Sequence, residues 1–425
     1  LYLQLLGAPI KIQGKYTKKV NKKKRDISFF LKVRNFLKRL LEPIDYLIHF
    51  IFSLICSIFG VNNKTAFAAI PSYRKLSLMF FLKGYGYPTL LRHSSIDLKS
   101  GIKKFNRLKL FAKLSNKKDI SFENSVFPIL LLIMPRTYLE DFKDIYMTCD
   151  SLFYVKNIDI VFSSTKHWND DPFKIWLFKN KINSNSFKIV IWQHGGAYGT
   201  TRFTTHQEFI EKSIYDYFLT WGWRDDSKGV YPFIKPFNLD KKLNKSPNND
   251  KKKFLIVLTR LKKYSKGDPW DSDQWNIDYI NSLIKLSNHF SKFKEIDIRF
   301  RIHPTQNETG LDIKEYLLAS NKKCLFDDTK DIRESISNSD LIIVTQNSTV
   351  LLQTLSGNKP TMCYWNESLN PVREDALFRF NLLRDVGIFH GDINSFISFI
   401  SEKHDKIESW WKSNSTEIAK NEFCE

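Results

Sequence analysis

Residues 188–199, KIVIWQHGGAYG, decide how this chain is read. Lys188 to Trp192 is a run of β-branched and aromatic residues, the composition of a buried strand, and it stops abruptly at Gln193, His194, Gly195 and Gly196. A titratable ring therefore stands at a strand tip. It sits on a loop whose glycines, Gly195, Gly196 and Gly199, let backbone N–H groups come close to a ligand. In open α/β sheets ligands bind beyond the carboxyl ends of the strands, which is where this histidine falls. Taken alone, an ordinary Gly-rich strand-to-helix turn carrying one loop histidine would look the same.

The surrounding sequence alternates. Upstream, 127–135 (FPILLLIMP) reads as a continuous apolar strand, 138–150 as a helix, 158–163 as a second apolar strand and 171–181 as a helix leading into 188–192. Before these, 66–91 reads as a helical stretch ending in a Gly-Tyr-Gly-Tyr-Pro turn. Downstream, 201–217 reads as a helix and 218–223 as a last short strand. Strand and helix in alternation mark a parallel, helix-covered sheet.

A polar, lysine-rich run at 239–253 then marks a domain boundary. Beyond it the pattern repeats: strands are predicted at 253–259, 297–302, 341–345 and 360–365, and helices at 275–290, 331–339 and 348–356. Residues 393–423 read as helical throughout. The fold class is α/β, with two Rossmann-like lobes facing each other across a cleft behind a basic helical N-terminal segment. The expected divisions are 1–65, a first lobe at 66–240, a second at 251–370, and C-terminal helices at 371–425.

The formal net charge is +21 over 425 residues, and aromatic residues make up 15%. A surface this basic suits nucleic acid, anionic lipid or phosphate-bearing small molecules, and would also follow from solvated lysines in a Lys-, Asn- and Ile-rich composition. Nucleic acid rests on charge alone, since no nucleic-acid-binding module is visible. The five cysteines are scattered and odd in number, without metal-ligand spacing, which favours a reducing, cytosolic compartment over a disulfide framework or zinc site.

The chain starts at Leu1 and stops just after a helical pattern, as a fragment would. Its first 25 residues read as a linker or polybasic arm, 29–39 as a cationic amphipathic helix, and 44–59 as an apolar run interrupted by Asp45 and His49. That run is shorter than the roughly 20 apolar residues of a spanning helix. A buried or interfacial helix is expected, with peripheral attachment to the anionic inner face of the cytoplasmic membrane.

In the second lobe, DLIIVTQNSTVLLQTLSGNKPT (340–361) carries a buried strand into Asn347-Ser348-Thr349. These residues can cap the next helix, and the free N–H groups and dipole at that helix end suit a diphosphate, with the Ser348 and Thr349 hydroxyls as further donors. Plain helix capping is the simpler alternative. Arg299, Arg301 and His303 alternate, so they are placed on one face of a strand; His303 and Arg301 are read as phosphate-facing, against a structural salt bridge. Arg260, at a strand end, is another cation facing the cleft or the solvent. The P-loop, dinucleotide, zincin and hydrolase-elbow motifs are all missing, and the nearest acidic pair, Asp327-Asp328, precedes a polar loop. No metal-dependent transfer is supported.

The runs MPRTYLEDFK (134–143), IWQHGGAYG (191–199), YFLTWGW (217–223), RIHP (301–304), NSTVLLQTLSGNKPTMCYW (347–365) and VGIFH (386–390), with the late ESWW, resemble an uncharacterised family of transferases from bacterial surface-polysaccharide gene clusters. That family is similar to GT-B glycosyltransferases, and its RxHP and strand-Ser-Thr-helix features are like those of capsule Kdo transferases and teichoic-acid polymerases. The resemblance implies a nucleotide-sugar donor on the second lobe, a glycan or lipid-linked acceptor on the first, and no metal or other cofactor. It matches His194 to the family's loop histidine, His303 to its His-Pro histidine, and Ser348 and Thr349 to its phosphate-binding pair. Gln353 stands where many relatives have Glu, so a ribose contact there would lack charge. His194 is the expected general base, with Glu208 or Glu211 as the alternative. A non-catalytic nucleotide- or glycan-binding scaffold would keep the same lobes and tolerate loss of His194.

Overall fold

The computed structural model describes residues 51, 64–69, 73–83, 88–91, 122–153, 158–184, 186–202, 206–224, 227–233, 251–263, 272–308 and 311–424. The polybasic arm and the amphipathic helix lie outside them, as does the 44–59 run apart from residue 51. Two compact units divide the chain, residues 1–63 with 80–87, and residues 64–79 with 88–425; both sheets belong to the second. No helix among the described residues is long and apolar enough to cross a membrane.

The first sheet has the order β2-β1-β3-β4-β5-β6, all parallel: β1 Thr65–Ala68, β2 Thr89–Leu90, β3 Ile160–Ser163, β4 Lys188–Trp192, β5 Tyr217–Thr220 and β6 Val230–Pro232. Helices α1 Tyr73–Leu82, α2 Phe122–Ile133, α3 Phe142–Phe153, α4 Lys166–Asn169, α5 Asp171–Asn183 and α6 His206–Ile214 connect the strands. The expected strand at 188–192 is the fourth in line. Ile189 through Trp192 are all buried, as an inner strand covered on both faces requires. β6 ends in Pro232 and occupies the sheet edge, the place where a missing N–H costs no ladder bond.

Three expectations in this lobe are corrected. The strand expected at 218–223 is not the last, since β6 follows it. Residues 127–135 do not form a strand; they fall mostly in α2, with Phe127, Ile129, Leu130 and Ile133 exposed. A continuous apolar run has no period to tell a strand from a helix, and here no sheet takes it in. The start of the expected 66–91 helix is instead β1, whose four residues are all buried. In Thr-Ala-Phe-Ala only the alanines disfavour a strand, and parallel pairing with β2 and β3 in the buried sheet overrides them.

The second sheet has the order β12-β11-β10-β7-β8-β9, also all parallel: β7 Lys252–Val257, β8 Ile296–Arg301, β9 Leu325–Phe326, β10 Leu341–Val344, β11 Thr361–Tyr364 and β12 Phe389–His390. Counted within the lobe from β7, this is the doubly wound order 3-2-1-4-5-6, which reverses direction between β7 and β10. Its helices are α7 Asp273–Phe290, α8 Ile313–Ser320, α9 Ile332–Ser337, α10 Thr349–Ser356, α11 Leu377–Asp385, α12 Ile393–Lys403, α13 Ile407–Trp411 and α14 Asn414–Cys424. The α7 start is fixed by Ser272, whose hydroxyl accepts from the Trp275 amide. The segment after 370 is not purely helical, since β12 completes the sheet; the stretch expected to be helical from 393 holds α12, α13 and α14.

Candidate functional site

At the reversal between β7 and β10 the strand ends diverge and open a cavity of about 670 Å³. It is lined by residues just past β7, including Thr259 and Arg260; past β8, including His303; and past β10, including Gln346, Ser348 and Thr349. Ser348 is the N-cap residue of α10, yet its hydroxyl makes no cap bond. The helix's free N–H groups are thus left for something else. The Arg260 Nε–H is buried and has no acceptor among the described residues. His303 accepts at Nδ1 from the amide and hydroxyl of Thr305, at 3.3 and 3.1 Å, so the proton of its neutral ring belongs on Nε2.

Arg301 takes the structural alternative. Its Nη1 donates to Asp327 Oδ2 at 2.5 Å, to the Thr329 carbonyl at 2.8 Å and to Ser335 Oγ at 3.0 Å. The guanidinium forms the cavity wall with its terminal donors already engaged. Arg299 is on the exposed side, paired with Asp297 beside it. Gln353 does not line the cavity, being a turn further along α10.

On the other lobe, His194 follows β4 and stands in front of a buried network. Its Nδ1 lies 3.2 Å from Glu211 Oε1 and 3.1 Å from the Tyr198 hydroxyl. The same Glu211 oxygen accepts from Trp168 Nε1 at 2.6 Å and contacts His167 Nε2 at 2.9 Å; His167 Nδ1 in turn meets Ser163 Oγ at 2.9 Å. Burial pushes the Glu211 carboxyl up, but the bonds from His167 and His194 outweigh it and hold the group below the usual range. Burial and the nearby Glu211 charge push the Tyr198 phenol far up, so it stays a neutral donor. With an ionised carboxylate at Nδ1, His194 carries its proton there and presents Nε2 as the basic nitrogen. Glu208 is equally buried; it accepts from the Gly199 amide at 3.3 Å and pairs with Lys212 at 3.0 Å. Both carboxylates are buried.

The glycine loop reaches across to the second lobe. Thr201 forms an antiparallel bridge with Val372, and Thr200 Oγ1 accepts from Asn347 Nδ2 at 2.6 Å. Gly196 lies directly on the Ser348–Thr349 peptide, so a Cβ built there would be 2.3 Å from Ser348 C and Thr349 N. The end of α10 and the His194 loop are therefore neighbours because residue 196 has no side chain. Gly196→Ala must push backbone against backbone, at a cost of about 1–3 kcal/mol. The expected reading is a lower urea midpoint at unchanged m-value.

These residues belong to one recognisable sequence family. The model of the LIC12162 family transferases matches residues 1–425, the whole chain. The chain belongs to this family. No curated protein matches it. Among solved structures, MurG of Acinetobacter baumannii is 11% identical with a TM-score of 0.38, the match covering 84% of this chain and 98% of that one. A structure titled putative UDP-N-acetylglucosamine 2-epimerase from Listeria monocytogenes is 10% identical with a TM-score of 0.44, covering 85% and 94%. The UDP-GlcNAc 2-epimerase of Methanocaldococcus jannaschii is 13% identical with a TM-score of 0.38, covering 79% and 91%.

Within this transferase, Arg260, Arg301, His303, Ser348 and Thr349 come together on one cavity, and His194, Glu208 and Glu211 on the loop and helix opposite. His167, Trp168 and Tyr198 escaped the sequence reading as site residues. His167-Trp168 had a usable signal, because the pair follows β3 just as His194 follows β4. Among the described residues no cluster of three or more His, Cys, Asp or Glu could hold a metal ion.

Proposed function

We propose that this protein is a glycosyltransferase that moves a sugar from a nucleotide-activated donor to a surface-polysaccharide or lipid-linked acceptor. One observation carries the reading: the cavity at the β7/β10 reversal, lined by the open end of α10 with Ser348 and Thr349, by Arg260 and by His303. Such a constellation suits a diphosphate. As the glycosidic bond to the donor breaks, negative charge grows on the leaving phosphate oxygen. Arg260, His303 and the α10 end would stabilise it in place of a metal ion.

His194 Nε2 would take the proton from the attacking hydroxyl, and Glu211 behind Nδ1 would stabilise the imidazolium so formed. The Gly196 contact brings the loop carrying His194 to the end of α10, as direct transfer between two bound substrates needs.

The test is calorimetric titration of the protein with CMP, UDP, GDP and CDP. Micromolar binding of one of them is expected, weakened about ten- to a hundredfold by Arg260→Gln, the loss of a charge-assisted hydrogen bond. Ser348→Ala should weaken it as well. Failure of all four to bind folded protein would sink the nucleotide-donor reading.

A further inference from the structure

A second cavity, of about 240 Å³, lies on the other side of Gly196, between the glycine loop and the helices of the second lobe. Its walls include Tyr198, Trp221, Trp223 and Phe380, and its lining is mostly apolar. The aromatic wall is fixed in advance. Gln193 Oε1 accepts from the Trp221 amide at 2.8 Å and from Trp223 Nε1 at 2.7 Å, so one buried side-chain carbonyl holds both residues. Gly199, in the left-handed region at φ +67, lets the Trp223 indole close over the backbone; a Cβ there would be 2.4 Å from the ring. The Arg373 guanidinium stacks 5.6 Å from the same ring and pairs with Asp375.

Two further arginines line this cavity, Arg224 and Arg379. Both are exposed, and neither has an ion pair or hydrogen bond among the described residues. A pocket with rigid aromatic walls and two guanidinium groups that no described residue pairs suits a flat, partly apolar body carrying an anion. Because the walls are already ordered, binding would spend little on arranging them.

A cavity of about 240 Å³ has room for a sugar ring. Tyr198 links the cavity to the reaction centre, lining the one and bonding His194 in the other.

We propose that this cavity binds an acidic sugar unit of the acceptor, its ring against Trp221, Trp223 and Phe380 and its carboxylate or phosphate on Arg224 and Arg379. The assignment to the acceptor rests on the transferase reading above; the binding of an acidic sugar does not. It makes the enzyme selective for an anionic glycan terminus.

The experiment follows intrinsic tryptophan fluorescence of the whole chain, with no nucleotide present, during titration with glucuronic acid, glucose 1-phosphate, glucose, inorganic phosphate and dodecyl phosphate. Saturable quenching by the two acidic sugars is expected, with glucose at least about tenfold weaker, since it forgoes charge-assisted bonds. Arg224→Gln/Arg379→Gln, both on exposed positions, should weaken the acidic sugars by about tenfold or more and leave the circular dichroism unchanged. Inorganic phosphate binding as tightly as glucose 1-phosphate would overturn the proposal in favour of a bare anion site. Glucose binding as tightly as glucuronic acid, dodecyl phosphate outcompeting both acidic sugars, or no binding by folded protein would each overturn it too. An acidic-sugar response lost in Arg260→Gln and kept in the double variant would place the sugar in the β7/β10 cavity, and that also overturns it. Nucleotide titration stands apart from every arm, so either reading can fail without the other.

Discussion

His194→Ala is expected to lower the transfer rate by about 10²–10⁴-fold, the range for removing a positioned general base, while nucleotide affinity stays within a factor of about two. The split follows from position. His194 does not line the β7/β10 cavity, so its loss takes nothing from the donor site. Its ring is mostly covered yet stands on a loop rather than in a core, so truncation leaves the sheet packing untouched. Glu211→Gln should give a smaller rate loss in the same direction. It keeps the shape and a hydrogen-bond acceptor at Nδ1, and removes only the charge that stabilises the imidazolium. His167→Gln should act through Glu211 alike, lowering kcat with little effect on KM, because His167 touches the carboxylate and not the substrate cavity. Rate assays with steady-state separation of kcat from KM check all three. A full rate in His194→Ala would remove the base from this loop, and if no transfer is found for either protein, weight moves to a nucleotide- or glycan-binding scaffold.

Much of the frame was legible in the sequence because buried parallel strands advertise themselves. Residues 188–192 and 341–344 are unbroken β-branched and apolar runs ended by polar loop residues, and both are strands at those positions. The same signal failed at 127–135, where an equally apolar run is a helix with exposed side chains, since composition alone does not say whether a neighbouring strand is present to pair.

Most of the residues that line the β7/β10 cavity could be placed from the sequence, because Arg260, His303, Ser348 and Thr349 each follow a strand end, a position that topology and sequence both mark. Contacts between distant segments were not. Alternation at Arg299, Arg301 and His303 could not reveal that Asp327, 26 positions away, claims the Arg301 guanidinium. Likewise Glu211 as the shared acceptor of His167, Trp168 and His194 depends on how α4 and α6 meet below the loop. The contact of Gly196 with the Ser348–Thr349 peptide is a fact of how the lobes close, and a glycine's reason for being small lies in the neighbour it admits.

Asp327→Ala is expected to destabilise the second lobe by about 3–5 kcal/mol, the cost of leaving a buried charge without its partner. That is a large share of the roughly 5–15 kcal/mol that holds a domain folded. The Arg301 side chain is 9% exposed and that of Asp327 8%, so neither can turn to water when the other is removed. Asp327 also accepts from Ser335 Oγ at 2.6 Å and Thr329 Oγ1 at 2.7 Å, so the loop before α9 loses its anchor as well.

Replacing both partners separates charge from shape. Arg301→Met/Asp327→Leu should recover much of the loss, as apolar groups of similar volume do at buried pairs, and the double variant should be more stable than Asp327→Ala alone.

The acid dependence gives an independent check. Burial pushes the Asp327 carboxyl up, but the bonds from Ser335, Thr329 and Arg301 outweigh it and hold it below the usual carboxylate range. Its folded value therefore lies under its unfolded one. The stability it contributes is complete above the ordinary carboxylate value of about 3.9 and disappears as pH falls through the depressed one. Urea melts of wild type and Asp327→Ala should thus lie furthest apart at neutral pH and converge below about pH 4. Since Lys330, Asp331 and Ile332 line the β7/β10 cavity just beyond this ion pair, the same substitution should weaken nucleotide binding at neutral pH even where the protein stays folded.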